Sequence, residues 1–94
     1  MATLKAREVI SGLKKKGFLQ SEGDHTYFIL YVNEKKTSIR TKVRHGRGEV
    51  DDYLLHMMAL QAKLEKRQFM DLINCPLSAT DYLKILEAQG YRFT

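Results

Sequence analysis

The sequence contains one cysteine, Cys75, one proline, Pro76, and no apolar stretch longer than Tyr27 to Val32. One cysteine cannot close an internal disulfide. With His25, His45 and His56 it shows none of the paired C-x-x-C or H-x-x-x-H spacings of a zinc site, so no metal is expected. A membrane span needs about 20 consecutive apolar residues, and no stretch approaches that. The first twenty residues carry Lys5, Arg7, Lys14, Lys15 and Lys16 without the apolar block of a secretory signal, so the expected location is the cytoplasm. Internal repeats and low-complexity stretches are also missing. Ninety-four residues are expected to form one domain over 1–94, with a single modest core and an open surface site rather than an enclosed cofactor; no cofactor is expected.

What the chain has in excess is positive charge, unevenly placed. Residues 1–48 hold eleven Lys and Arg against four acids, whereas residues 49–94 hold five against seven, which is +7 beside −2. The sharpest block runs from Lys35 to Arg47, with Lys36, Arg40, Lys42, Arg44 and His45 between them and no acid. Such a block is the footprint of a surface that binds phosphate backbones, and equally of a solvated cationic face.

Apolar periodicity predicts an α+β fold. Leu4, Val9, Ile10 and Leu13 share a stripe of a helix from Thr3 to Lys16, with Thr3 as N-cap and Gly17 as stop. A short strand over 17–20, a strand over 25–32 and a strand over 37–44 follow, the last two joined by a four-residue loop, Asn33 to Lys36. After Gly46 and Gly48 a second helix is expected from Val50 to Leu64, burying Tyr53, Leu54, Met57, Leu60 and Leu64. The order α-β-β-β-α implies a three-stranded antiparallel sheet with both helices on one face. Two short C-terminal helices are expected over 66–74, ended by Pro76, and from Ser78 through Ala88, with Ser78 as cap.

Period-two counting turns the strands into a surface. Ile39 and Val43 must face the core, which directs Ser38, Arg40, Lys42 and Arg44 outward; likewise Phe28, Leu30 and Val32 face inward and His25, Tyr27, Ile29 and Tyr31 outward. Pairing Val32 with Thr37 sets Tyr31 opposite Ser38, Ile29 opposite Arg40, Tyr27 opposite Lys42 and His25 opposite Arg44. Aromatics then interleave with cations on the open face. Cations neutralise phosphates, and tyrosine rings give stacking platforms of about 1–3 kcal/mol per unpaired base. With no helix resembling a major-groove reader, RNA is the expected partner rather than DNA. His25 stands out because histidine takes and gives protons near neutrality, and RNA cleavage through its own 2′-hydroxyl needs no metal.

These residues resemble a known family. A helix ending Lys-Lys-x-Gly-Phe, then Gly23-Asp24-His25-Thr26-Tyr27-Phe28, then a strand closing on His45-Gly46 with Glu49 at the next helix, is similar to the HicA family of toxins. The resemblance covers about residues 4–64 and leaves 65–94 as a helical extension. It implies a double-stranded-RNA-binding-domain-like fold, mRNA interferase activity and a HicB-like antitoxin as partner. By the resemblance the catalytic histidine falls on His25, the motif glycine on Gly23 and the histidine after the third strand on His45. The helix beginning Asp51-Asp52-Tyr53 departs from the family's usual Gly-Thr-Leu opening.

The sequence therefore carries two leading expectations for one face. One is a metal-independent endoribonuclease with His25 as acid/base and Tyr27, Tyr31, Arg40, Lys42, Arg44, His45 and Arg47 holding RNA. The other is a non-catalytic RNA-binding module of the same fold. A third, from a different class, is a basic face that docks an acidic protein.

Overall fold

The first helix has one narrow apolar stripe, and burial follows it. In the computed structural model, which describes residues 4–43, 48–74 and 76–93, α1 covers Ala6–Lys15 and buries Ala6, Val9, Gly12 and Leu13. The Thr3 cap expected for it lies outside the described residues. The chain before α1 instead forms a two-residue strand, β1 (Leu4–Lys5), paired antiparallel with β5 (Glu49–Val50). Glu49 therefore sits on a strand opposite Lys5 and not on a helix. After Lys16, Gly17 takes φ +100°, the left-handed conformation that costs glycine little, and turns the chain into β2 (Phe18–Glu22).

Two hairpins complete the main sheet, β2, then β3 (Thr26–Val32), then β4 (Lys35–Val43), all antiparallel in that spatial order. The β3–β4 turn has two residues, Asn33 and Glu34, rather than the expected four. Both have positive φ, 53° and 65°, the turn geometry whose twist matches that of paired strands. The shorter turn pairs Val32 with Lys35 and Tyr31 with Lys36, correcting the expected pairing of Tyr31 with Ser38. An irregularity between Ile29 and Tyr31 absorbs the difference. Thr37 holds it by donating its hydroxyl to the Leu30 carbonyl (2.7 Å) and accepting from the Ile39 N–H (3.2 Å). Beyond it the expected register stands, with Ile29 opposite Arg40 and Tyr27 opposite Lys42.

The remaining helices are α2 (Asp52–Gln61), α3 (Lys66–Ile73) and α4 (Ala79–Ala88). Asp51 caps α2 by accepting from the Leu54 N–H, and Ser78 caps α4 by accepting from the Asp81 N–H. Phe18, Phe28, Leu30, Ile39 and Val43 from one face of the sheet share a continuous cluster with Leu13, Leu55, Met58, Phe69, Leu72, Tyr82 and Leu86. The helices thus lie on one face of an α+β sheet and leave the other open. α3 and α4 contribute to the same core as residues 4–64.

Specific side-chain interactions tie the C-terminal helices in. Tyr82 stacks on Phe18, centroids 6.0 Å apart, and donates its hydroxyl to the Ala62 carbonyl (2.8 Å). Burial, with Tyr91 adding to it, pushes the Tyr82 phenol well above its ordinary range. The Lys16 ammonium is buried and donates to the carbonyls of Leu72 (2.8 Å) and Leu77 (2.6 Å), so this lysine joins α1 to the end of α3 instead of facing solvent. Gly12 lets α1 approach α3, because a Cβ there would stand 2.8 Å from the Ile73 carbonyl oxygen. An ion pair between Lys66 and Asp52 joins α3 to the start of α2.

The α2 face is the main departure from expectation. Leu55, Met58, Ala59 and Ala62 turn inward, while Tyr53, Leu54, Met57 and Leu60 are exposed; Leu64, beyond the helix, is buried as expected. A helix apolar on both sides gives two stripes at helical spacing, and spacing alone does not choose between them. The side that is buried is the one holding Ala59 and Ala62, both fully covered where α2 packs against α3 and β4. Among the described residues no helix is long and apolar enough to cross a membrane.

Candidate nucleic-acid interface

The open face consists of rows running across the three strands. One row is Ser21, Tyr27 and Lys42; the next is Leu19, Ile29 and Arg40; a third joins Tyr31 to Lys36. On β4, buried Ile39, Thr41 and Val43 alternate with exposed Ser38, Arg40 and Lys42, as period two requires. Tyr27 and Tyr31 are half-buried and Ile29 is nearly covered between its row neighbours. Lys36, Arg40 and Lys42, with Tyr27, Ile29 and Ser21, line a shallow groove that extends around the β4 edge to Gln61. There Gln61 accepts the Thr41 hydroxyl (2.7 Å), which anchors the edge strand to α2.

At one end of this face the β2–β3 turn gathers Gly23, His25 and Tyr27. The turn consists of Gly23, Asp24 and His25, closed by the Gly23 N–H donating to the His25 carbonyl (3.0 Å). His25 ends this turn rather than beginning β3, because the strand pairing stops at Glu22 and Thr26. Gly23 lies against the Tyr27 ring, where a Cβ would stand 3.4 Å from its edge. The imidazole of His25 meets the same ring edge-on, centroids 6.2 Å apart and planes inclined 67°. Its Nδ1 is buried and has no hydrogen-bond partner among the described residues. The Tyr27 ring is therefore the common support of the turn glycine and the histidine.

The sequence-predicted residues divide into two groups. Gly23, His25, Tyr27, Tyr31, Arg40 and Lys42 are gathered along one face. Arg44, His45 and Arg47 lie outside the described residues, and with them the expected pairing of His25 and Arg44. Lys36, named in the basic block but assigned to a four-residue loop, lies on the strand face opposite Tyr31; the readiness of Asn33 to adopt a left-handed conformation is the signal for the tighter turn. Ser21 was missed because the first strand extends to Glu22 and not to Gln20, and Leu19 because the register of the first strand against the second was not worked out. Among the described residues no three His, Cys, Asp or Glu side chains converge as a metal site requires.

Chemically, this face offers cations spaced along one strand, two rings on the next and an imidazole at the end. No protein-family model matches the chain, and neither curated proteins nor solved structures yield a match to it.

Proposed function

We propose that the open sheet face binds single-stranded RNA in the cytoplasm and that His25 cleaves it, as the resemblance to HicA-type mRNA interferases implies. The observation that carries this reading is the register of Tyr27 with Lys42, Ile29 with Arg40 and Tyr31 with Lys36, which alternates stacking surface and positive charge along one exposed face. Successive phosphates run along β4 while bases lie over β3. A strand passing Tyr27 brings its 2′-hydroxyl to the imidazole beside that ring.

His25 then removes the 2′-hydroxyl proton. The 2′-oxygen bonds to phosphorus as the bond to the 5′-oxygen breaks, and the proton His25 has taken passes through water to the departing 5′-oxygen, which leaves a 2′,3′-cyclic phosphate and a free 5′-hydroxyl. Lys42 and Arg40 neutralise the charge gathering on the phosphate. By the same resemblance the partner that silences this activity is a HicB-like antitoxin.

A non-catalytic RNA-binding module is the second reading, and the Nδ1 of His25, without a hydrogen-bond partner among the described residues, favours it. Catalytic imidazoles are ordinarily oriented by a hydrogen bond at the nitrogen that does not take the substrate proton. Incubation with a long unstructured RNA in chelator separates the two, wild type beside His25→Ala, with circular dichroism confirming both folds. Cleavage by wild type alone is the expected result. Intact RNA in both lanes, with binding preserved, leaves the binding module.

A further inference from the structure

Gln61 is the one helical residue that lines the groove of the open face, and its amide is not free to turn. Thr41, 2% exposed, donates its hydroxyl to the Gln61 Oε1 (2.7 Å). An amide has an acceptor end and a donor end, so holding Oε1 against β4 also settles which way the NH2 group faces. Among the described residues Nε2 of Gln61 has no hydrogen-bond partner. The one buried polar atom in that state is Nδ1 of His25, so the half-buried Gln61 keeps its NH2 in contact with solvent. Along β4, Thr41 stands between Arg40 and Lys42, both directed to the open face. The guanidinium, the ammonium and the amide NH2 are all donors, and the complement of three donors is a group that only accepts. A phosphodiester is such a group, whereas base edges mix donors with acceptors.

We propose that the Gln61 amide donates to one phosphate of the bound RNA, the phosphate held by Arg40 and Lys42, and that Thr41 is a positioning residue that acts through Gln61. The proposal rests on the RNA reading of the open face and adds to it a contact that carries no charge. Lys42 bears its charge on a flexible stem and attracts the backbone without fixing it. The clamped amide sets where along β4 the phosphate stops, and with it the register in which successive bases meet Tyr27 and Tyr31.

Neutrality gives this contact a signature of its own. A cation that meets a phosphate displaces counterions, so its share of the affinity falls as salt rises. The Gln61 amide displaces none, and its share is the same at every salt concentration. The Thr41 hydroxyl separates binding from stability. Removing Gln61 alone leaves that hydroxyl buried without its acceptor, whereas removing both partners leaves nothing unpaired.

Binding of a short 2′-O-methyl RNA oligonucleotide, which lacks the hydroxyl that cleavage needs, to the full chain over a salt series tests it, beside denaturant unfolding of the same variants. Gln61→Met is expected to bind at least about tenfold more weakly at every salt concentration, with the slope of log affinity against log salt unchanged, whereas Lys42→Gln lowers that slope. Thr41→Val, which frees the amide, is expected to weaken binding by less. Thr41→Val combined with Gln61→Met is expected to regain stability lost by Gln61→Met alone and to keep its weak binding. Wild-type affinity in Gln61→Met overturns the proposal. A lowered salt slope in Gln61→Met overturns it too, as does affinity that returns with stability in the double variant. In these three cases the RNA reading stands as long as Lys42→Gln lowers the slope. A folded wild type that does not bind the oligonucleotide at any salt concentration overturns both.

Discussion

The open sheet face and the outer side of α2 are both solvent-exposed, yet they differ in what exposes them. On the sheet, hydrophobic and charged residues alternate along β4, and burying Ile39, Thr41 and Val43 forces Arg40 and Lys42 outward. On α2 both sides are apolar, and burial of Leu55, Met58, Ala59 and Ala62 leaves Tyr53, Leu54, Met57 and Leu60 outward. The first surface is a consequence of patterning, whereas the second is a consequence of fit. Substitutions on the open face should therefore change RNA chemistry and spare stability, and substitutions in the helical layer should do the reverse.

The largest effect is expected at His25. His25→Ala should lower RNA cleavage by about 10²–10⁴-fold, the usual contribution of a positioned acid/base, while thermal unfolding and RNA affinity stay near wild type. Comparable cleavage by the variant would remove His25 from the mechanism and leave the face as a binding surface.

Gly12→Ala is the matching test behind the sheet. The added methyl meets the Ile73 backbone, so the variant should lose about 1–3 kcal/mol in denaturant unfolding, with RNA affinity of the folded protein unchanged. Tyr27→Ala should weaken single-stranded RNA binding by about 1–3 kcal/mol, and Tyr27→Phe should retain most of the affinity because the stacking ring remains. Neutralising Lys42 or Arg40 to Gln should weaken binding and reduce the slope of log affinity against log salt by about 0.7 for each phosphate no longer neutralised. Equal slopes for wild type and both variants would take β4 out of the interface.

The smallest effect separates the layers by pH. The folded Tyr82 phenol titrates above its unfolded value because burial disfavours the charged form, so its contribution to stability is fully present below about pH 10 and is lost as pH rises through the folded value. Tyr82→Phe should flatten this alkaline fall. At neutral pH it should lose about 0.5–1.5 kcal/mol with the Ala62 hydrogen bond, both read from denaturant unfolding.

The same contrast explains what was legible in the sequence. Alternation along β3 and β4 was enough to place Tyr27, Tyr31, Arg40 and Lys42 on one face, since one wrong step would have exposed Phe28 and Ile39. The Ser78 cap and the stop at Gly17 were readable because they depend on local chemistry. Register near the turn was not, because the tight Asn33-Glu34 turn and the Thr37 hydrogen bonds compensate one another and leave no net shift farther along. The buried face of α2 was not legible either, because the tie between its two stripes is broken by packing against α3 and β4. The buried Lys16 ammonium and the approach of α1 at Gly12 depend on α3, more than fifty residues away in the chain.

Amide chemical-shift mapping of a short unstructured RNA onto the folded protein tests the central claim most directly. Shifts should concentrate at Tyr27, Ile29, Tyr31, Lys36, Arg40 and Lys42, with those of Leu54, Met57 and Leu60 unmoved. Shifts gathered on α2 with the sheet face silent would contradict an RNA-binding role for the open sheet.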